Sequence, residues 1–166
     1  MIPSNLKRLA GACAIAALLS VAPAALAETT SLDMDMAIQD TAVLDISVDS
    51  GTVAINGADI DHVSVHAKIS IDDRRSSVDP MKAGSIAGAI KRSPPIEIDG
   101  DKIVITSLTK RTHQRYATIA YEISVPRDAT VTVHSDTGNV TVSGVTGPVE
   151  ATSESGEVTV CLLYTS

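Results

Sequence analysis

Ser135-Asp136-Thr137-Gly138-Asn139-Val140-Thr141-Val142 recurs 18 residues later as Ser153-Glu154-Ser155-Gly156-Glu157-Val158-Thr159-Val160. Each copy is a polar turn with Gly at a fixed place, followed by Val-Thr-Val. The match extends backward, setting Val131 over Val149 and Val133 over Ala151. A fixed period of this length marks stacked supersecondary units, none of which buries its apolar face alone. Val131, Val133, Val140, Val142, Val145, Val149, Ala151, Val158 and Val160 are expected to face inward. Thr130, Thr132, His134, Thr141, Ser143, Glu150, Thr152 and Thr159 are expected to face water. Gly138, Gly144, Gly147 and Gly156 are read as corners with positive φ. Antiparallel hairpins would alternate in the same way. The constant offset favours a parallel solenoid.

The same alternation is looser upstream. Val43, Leu44, Ile46 and Val48 form a strand, and Asp49-Ser50-Gly51-Thr52-Val53-Ala54-Ile55 is a degenerate copy of the motif. Asn56-Gly57 reads as a turn. Val63, Val65, Ala67, Ile69 and Ile71 alternate with polar residues as a half-buried strand. Residues 72–95 break the pattern and read as a surface insertion. It begins with charged Asp72–Ser77 and ends at Ser93-Pro94-Pro95. Its spacing over Met81–Ile90 allows a short helix, weakened by Gly84 and Gly88. Asp99-Gly100 predicts a hairpin, Lys110–Arg115 a basic tip, and Tyr116–Val125 a strand. Residues 28–41 are an acidic lead-in without a clear period.

The ends of the chain carry different signals. Lys7 and Arg8, an apolar run from Leu9 to Val21 and Ala25-Leu26-Ala27 together predict a cleavable secretory signal over residues 1–27, leaving Glu28 first. The run is short for a membrane span, which needs ~20 apolar residues. The mature protein is therefore expected in the periplasm or outside the cell, without an integral membrane span. Cys161–Ser166 interrupts the repeat and resembles a translated sequencing adapter. It is read as a non-native tail that cuts the solenoid short, the alternative being an apolar cap on the last coil.

Composition narrows the function. The net charge is −7 and becomes −9 without Lys7 and Arg8. That balance disfavours nucleic acid as a partner and disfavours electrostatic binding to anionic lipid. The chain has no Trp or Phe and three Tyr. Its core must be aliphatic, and stacking platforms for sugars or bases are scarce. The two cysteines, Cys13 and Cys161, fall in the signal and the tail, so the mature domain holds no disulfide.

Tyr121-Glu122-Ile123-Ser124-Val125-Pro126-Arg127-Asp128-Ala129, followed by the two Ser-x-x-Gly-x-Val-x-Val copies, resembles the adhesin-like β-strand-repeat family of exported bacterial envelope proteins, a domain of unknown function. The resemblance runs over 46–160. It implies an all-β, right-handed parallel β-helix-like fold over 42–160 and no established catalytic residues. The long 72–95 insertion departs from that pattern.

Several motifs tempt a chemical reading. Asp136-Thr137-Gly138 matches the tripeptide of aspartic proteases, but that chemistry needs two carboxylates sharing a proton. The matching place in the next unit is Glu154-Ser155-Gly156. His62 and His66 share a strand face ~13 Å apart, too far for one zinc ion. His113 and His134 read as solvated surface residues. Asp33, Asp35, Asp40, Asp45 and Asp49 lack calcium-loop spacing. No residue is assigned a catalytic, cofactor-binding or metal-binding role. The expected function is a non-catalytic structural or interaction module of the cell envelope, adhesin-like, whose partner is an envelope protein or glycan. The alternatives are a β-helix carbohydrate-active enzyme, for which Glu150, Glu154 and Glu157 are the nearby acids, and an envelope-stress sensor.

Overall fold

The structure, a computed structural model, describes residues 29–71 and 80–163. The expected signal over 1–27, charged Asp72–Ser77 and residues 164–166 lie outside these. The elements in chain order are β1 (Thr29–Ala37), β2 (Val43–Ala58), β3 (His62–Ile71), α1 (Pro80–Arg92), β4 (Ile96–Asp99), β5 (Lys102–Ile105), α2 (Arg111–Tyr116), β6 (Ala117–Pro126), β7 (Thr130–Ser143), β8 (Val149–Ser155) and β9 (Val158–Cys161). The strands form one nine-stranded mixed sheet.

The repeat becomes physical stacking. β7 pairs in parallel with β8, Val131 beside Val149 and Val133 beside Ala151. It also pairs in parallel with β9, Val140 beside Val158 and Val142 beside Val160. The 18-residue offset of the sequence is thus the register of the ladder. On its other edge β7 pairs with β2, Gly51 beside Gly138 and Val53 beside Val140. The degenerate motif at 49–55 therefore lies directly beneath the first full copy. β2 in turn carries β5 along Val43–Ile46 and β6 along Val53–Ala58, both parallel. The layers run β5 with β6, then β2, then β7, then β8 with β9.

Each long strand turns a corner. Leu44, Ile46 and Val48 point inward, as do Val53 and Ile55, so the inward parity switches across residues 49–52. The same switch separates Val131, Val133 and Ser135 from Val140 and Val142. A residue inserted into strict alternation re-aims the strand, as a bulge does. Both arms then turn their apolar faces into one aliphatic core, closed by Ile103, Ile105, Ile123, Val125 and Tyr121.

The parallel stack is not the whole molecule. The run from residue 42 onward is not a single series of parallel coils: β3 returns antiparallel to β6, β1 adds antiparallel to β3, and β4 with β5 forms the hairpin predicted at Asp99-Gly100. Gly100 there has φ +59°. The lead-in at 28–41 supplies β1, whose alternation of exposed and half-buried residues is carried by Leu32, Met34 and Met36. Leu32, Met34 and Met36 alternate with Ser31, Asp33 and Asp35, so the two-residue period of a half-buried strand is present in this stretch, against the expectation of a lead-in without one. Asn56-Gly57 is not a turn, because β2 runs through it.

The 72–95 segment also does more than decorate the surface. Ala83, Ile86, Ala87 and Ile90 recur at helical spacing and are buried. They lay α1 against β1 and β3. Lys91 and Arg92 in the last turn complement the helix dipole. Burying Ile86 and Ile90 contributes ~1.5–3 kcal/mol each, which outweighs the cost of about 1 kcal/mol for each interior Gly. Among the described residues no helix is long and apolar enough to cross a membrane.

Candidate functional site

The outward side of the corner in β7 and β8 gathers the most concentrated chemistry in the described molecule. His134 and Asp136 stand two apart on β7 and therefore share a face. The parallel register brings β8 alongside, His134 beside Thr152 and Ser135 beside Ser153. Glu154 then occupies on β8 the place that Asp136 holds on β7. Ligand atoms of His134, Asp136 and Glu154 all lie within 4.8 Å of one another. His134 Nε2 is 3.5 Å from Asp136 Oδ1, and His134 Nδ1 is 3.0 Å from Thr152 Oγ1. All of these groups are at least partly exposed.

The corner beneath them is fixed by local hydrogen bonds. Thr137 Oγ1 donates to the Asp49 carbonyl at 2.9 Å, so the Thr of Asp136-Thr137-Gly138 ties one layer to the next. Ser153 Oγ donates to the Gly138 carbonyl at 3.1 Å. The equivalent Ser135 hydroxyl is fully buried and, among the described residues, has no partner. Its neighbour in the layer below is Val48, whose side chain offers no polar atom. Glu157 is held separately, its N–H donating to Asn139 Oδ1 at 3.1 Å.

The remaining histidines are dispersed. His66 bonds through Nδ1 to the carboxylate of Asp33, its cross-strand neighbour on β1. His62 Nδ1 lies 3.2 Å from Asp61 Oδ1. That bond, with the residue's own backbone N–H and the histidine's charge, holds the Asp61 carboxyl below its usual range. His62 and His66 thus face different carboxylates, and their spacing gives no shared centre.

His113 belongs to a second place, a groove of about 290 Å³ between the end of α1, Pro94-Pro95, β4 and the segment leading into α2. Partial burial, then the charge of Lys110, lowers its pKa below the ordinary histidine value. Deep burial raises the pKa of Tyr121, which lies in the core beside a much smaller cavity.

No family model matches the chain, and no curated protein does. One solved structure is similar to it, the "putative cell adhesion protein" of Clostridium sporogenes, with a TM-score of 0.47 at 8% identity. The similarity covers 76% of this chain and 59% of that one.

The sequence lists His134, Asp136 and Glu154 separately, each with a plain explanation. Their convergence depends on register. Once the 18-residue offset is taken as a ladder register, the pair His-x-Asp on one strand and an acid 18 residues after the Asp converge. That signal was present in the sequence. Thr152 as a partner of His134 follows from the same offset.

Proposed function

We propose that this chain is an exported, non-catalytic interaction module of the cell envelope, periplasmic or extracellular, built as a right-handed β-helix-like stack. It works by presenting an ordered polar surface to an envelope protein or glycan. One observation carries this reading: side chains from successive layers align in rows on the outward face. Asp45, Thr132 and Glu150 form one row, Ser47, His134 and Thr152 another, and Ala54, Thr141 and Thr159 a third. Parallel ladders hold these rows at the strand spacing of ~4.8 Å. Apart from Glu150, the side chains in these rows are short and have few rotamers to lose on contact. Such a surface is pre-organised for repeated hydrogen bonds, which is where binding energy is otherwise lost to ordering.

The test is saturable binding of the purified protein to isolated cell-envelope fractions, compared with the double variant Thr132→Lys, Thr141→Lys. Both residues are exposed, so the fold should survive. Binding that saturates and falls at least ~10-fold in the variant, about 1.4 kcal/mol, supports the reading. Undiminished binding, or depolymerisation of envelope glycan by the purified protein, would sink it.

A further inference from the structure

We infer that His134, Asp136 and Glu154 form a binding site for a zinc-class divalent cation, with Thr152 as a positioning residue. Thr152 Oγ1 lies 3.4 Å from the Val133 carbonyl, to which it can only donate. The same oxygen lies 3.0 Å from His134 Nδ1. With its proton turned to the carbonyl, it accepts from Nδ1–H. That arrangement is the Nδ1–H tautomer, the one a metal on Nε2 requires, and it leaves a lone pair on Nε2.

That lone pair faces Asp136 Oδ1 at 3.5 Å. In that tautomer the two electron-rich atoms repel unless a cation lies between them. Glu154 adds a second carboxylate within 4.8 Å of both, and like charges side by side on neighbouring strands are destabilising. A proton on Nε2 answers one carboxylate. A divalent ion answers both and also takes the lone pair. The geometry is close to what such an ion needs. With bonds of 2.0–2.2 Å, adjacent ligands of a tetrahedral zinc ion stand roughly 3.4 Å apart, so the His134–Asp136 separation is already suitable. Only Glu154, an exposed side chain at a strand end, has to draw in.

The donor set selects the ion. One imidazole nitrogen with two carboxylates suits zinc and its first-row neighbours, whereas calcium and magnesium prefer oxygen throughout. Three protein ligands leave the fourth position of a tetrahedral ion open to solvent or to a ligand from outside. The Nδ1–H···Oγ contact is the kind of outer hydrogen bond that fixes a ligating histidine. This inference stands apart from the identity of the envelope partner, since its readout is metal uptake alone.

The experiment is calorimetric titration of the untagged full-length protein with Zn²⁺, against His134→Ala, Glu154→Gln and Thr152→Val. Exposed Cys161 and the His66–Asp33 pair are other zinc-binding groups, so Cys161→Ser and His66→Ala serve as controls. The expected result is one saturable equivalent, weakened at least tenfold in His134→Ala and Glu154→Gln and about tenfold in Thr152→Val, and unchanged in both controls. The ¹⁵N resonance of His134 Nε2 should shift on addition of Zn²⁺ to the wild type, which keeps the test valid if a variant misfolds. Absence of saturable uptake, uptake that survives in Glu154→Gln, or uptake lost in Cys161→Ser would each overturn the assignment.

Discussion

At the scale of single residues, His113 shows how a modest environment sets a pH response. Its ring is half-buried against the groove, and Lys110 precedes it by one turn, its carbonyl accepting the His113 N–H at 2.8 Å. Burial first and the lysine charge second disfavour the protonated form. The unfolded chain, with an ordinary histidine near pH 6.5, then binds the proton more readily than the fold does. Stability therefore rises with pH across this window. The contribution is fully present above about pH 6.5 and is lost as the pH falls below it. His113→Gln keeps a similar shape and cannot titrate. Thermal unfolding followed between pH 7 and pH 5 should show a shallower loss of stability in His113→Gln than in the wild type. Parallel curves would show that the histidine is not the titrating group. Asp61 does not confuse the comparison, because its lowered carboxyl acts below the ordinary carboxylate value. At this scale the sequence shows which residues are polar and outward, His134 and Thr152 among them. It hides their neighbours, because contact across strands depends on register and not on nearness in the chain.

At the scale of elements, glycine explains both what was legible and what was not. The repeat makes Gly138 and Gly156 obligatory, and the expected reason was positive φ. Among the repeat glycines expected to have positive φ, only Gly144 does, at +73°. The corner glycine of β2, Gly51, lies at φ +121°. Gly138 and Gly156 are required by close approach instead. A Cβ on Gly138 would stand 2.0 Å from the Gly51 carbonyl oxygen, and one on Gly156 would stand 2.1 Å from that of Gly138. The corners are stacked backbone on backbone, and a methyl group has nowhere to go. Gly138→Ala should destabilise the protein by about 2–4 kcal/mol, as expected for overpacking against unyielding backbone. Gly88, inside α1, is the opposite case, since a Cβ there meets nothing within 4 Å. Gly88→Ala should stabilise by about 0.5–1 kcal/mol through helix propensity. Urea denaturation of the two variants reads both signs. A tolerated Gly138→Ala would mean that the layers are not packed at the corner as described. The same contrast explains the reading of α1 from sequence. Gly84 and Gly88 lower local propensity, whereas the tertiary burial of Ala83, Ile86, Ala87 and Ile90 holds the helix in place.

At the scale of the whole molecule, the layers are unequal, and their inequality follows from pairing. β2 is flanked by β5 and β6 on one edge and by β7 on the other, and β7 is flanked by β2 and by β8 with β9. Among the described residues β8 and β9 are paired only with β7. The inward-facing valines record the same gradient: Val140 and Val142 are buried at 1% and 0% exposure, whereas Val158 and Val160, their equivalents one layer on, stand at 38% and 41%. Cys161 and Leu163 continue the ladder beside Ser143 and Val145 without covering these side chains. The repeat made the stacking legible. It could not show which layers are interior, because every copy has the same pattern whether or not another lies above it. Nor could it show that the far side is closed by the antiparallel strands β1 and β3 beneath α1, where no repeat exists. Opening free energies should therefore fall from the centre outward, since exchange of a paired amide needs its local ladder to open. Hydrogen exchange should be slowest in β2 and β7 and at least ~100-fold faster in β9. Equal protection of the hydrogen-bonded amides in β9 and in residues 140–143 of β7 would contradict this order. It would mean that the outer edge is covered in solution, and an exposed parallel edge with apolar side chains is the kind that another strand completes.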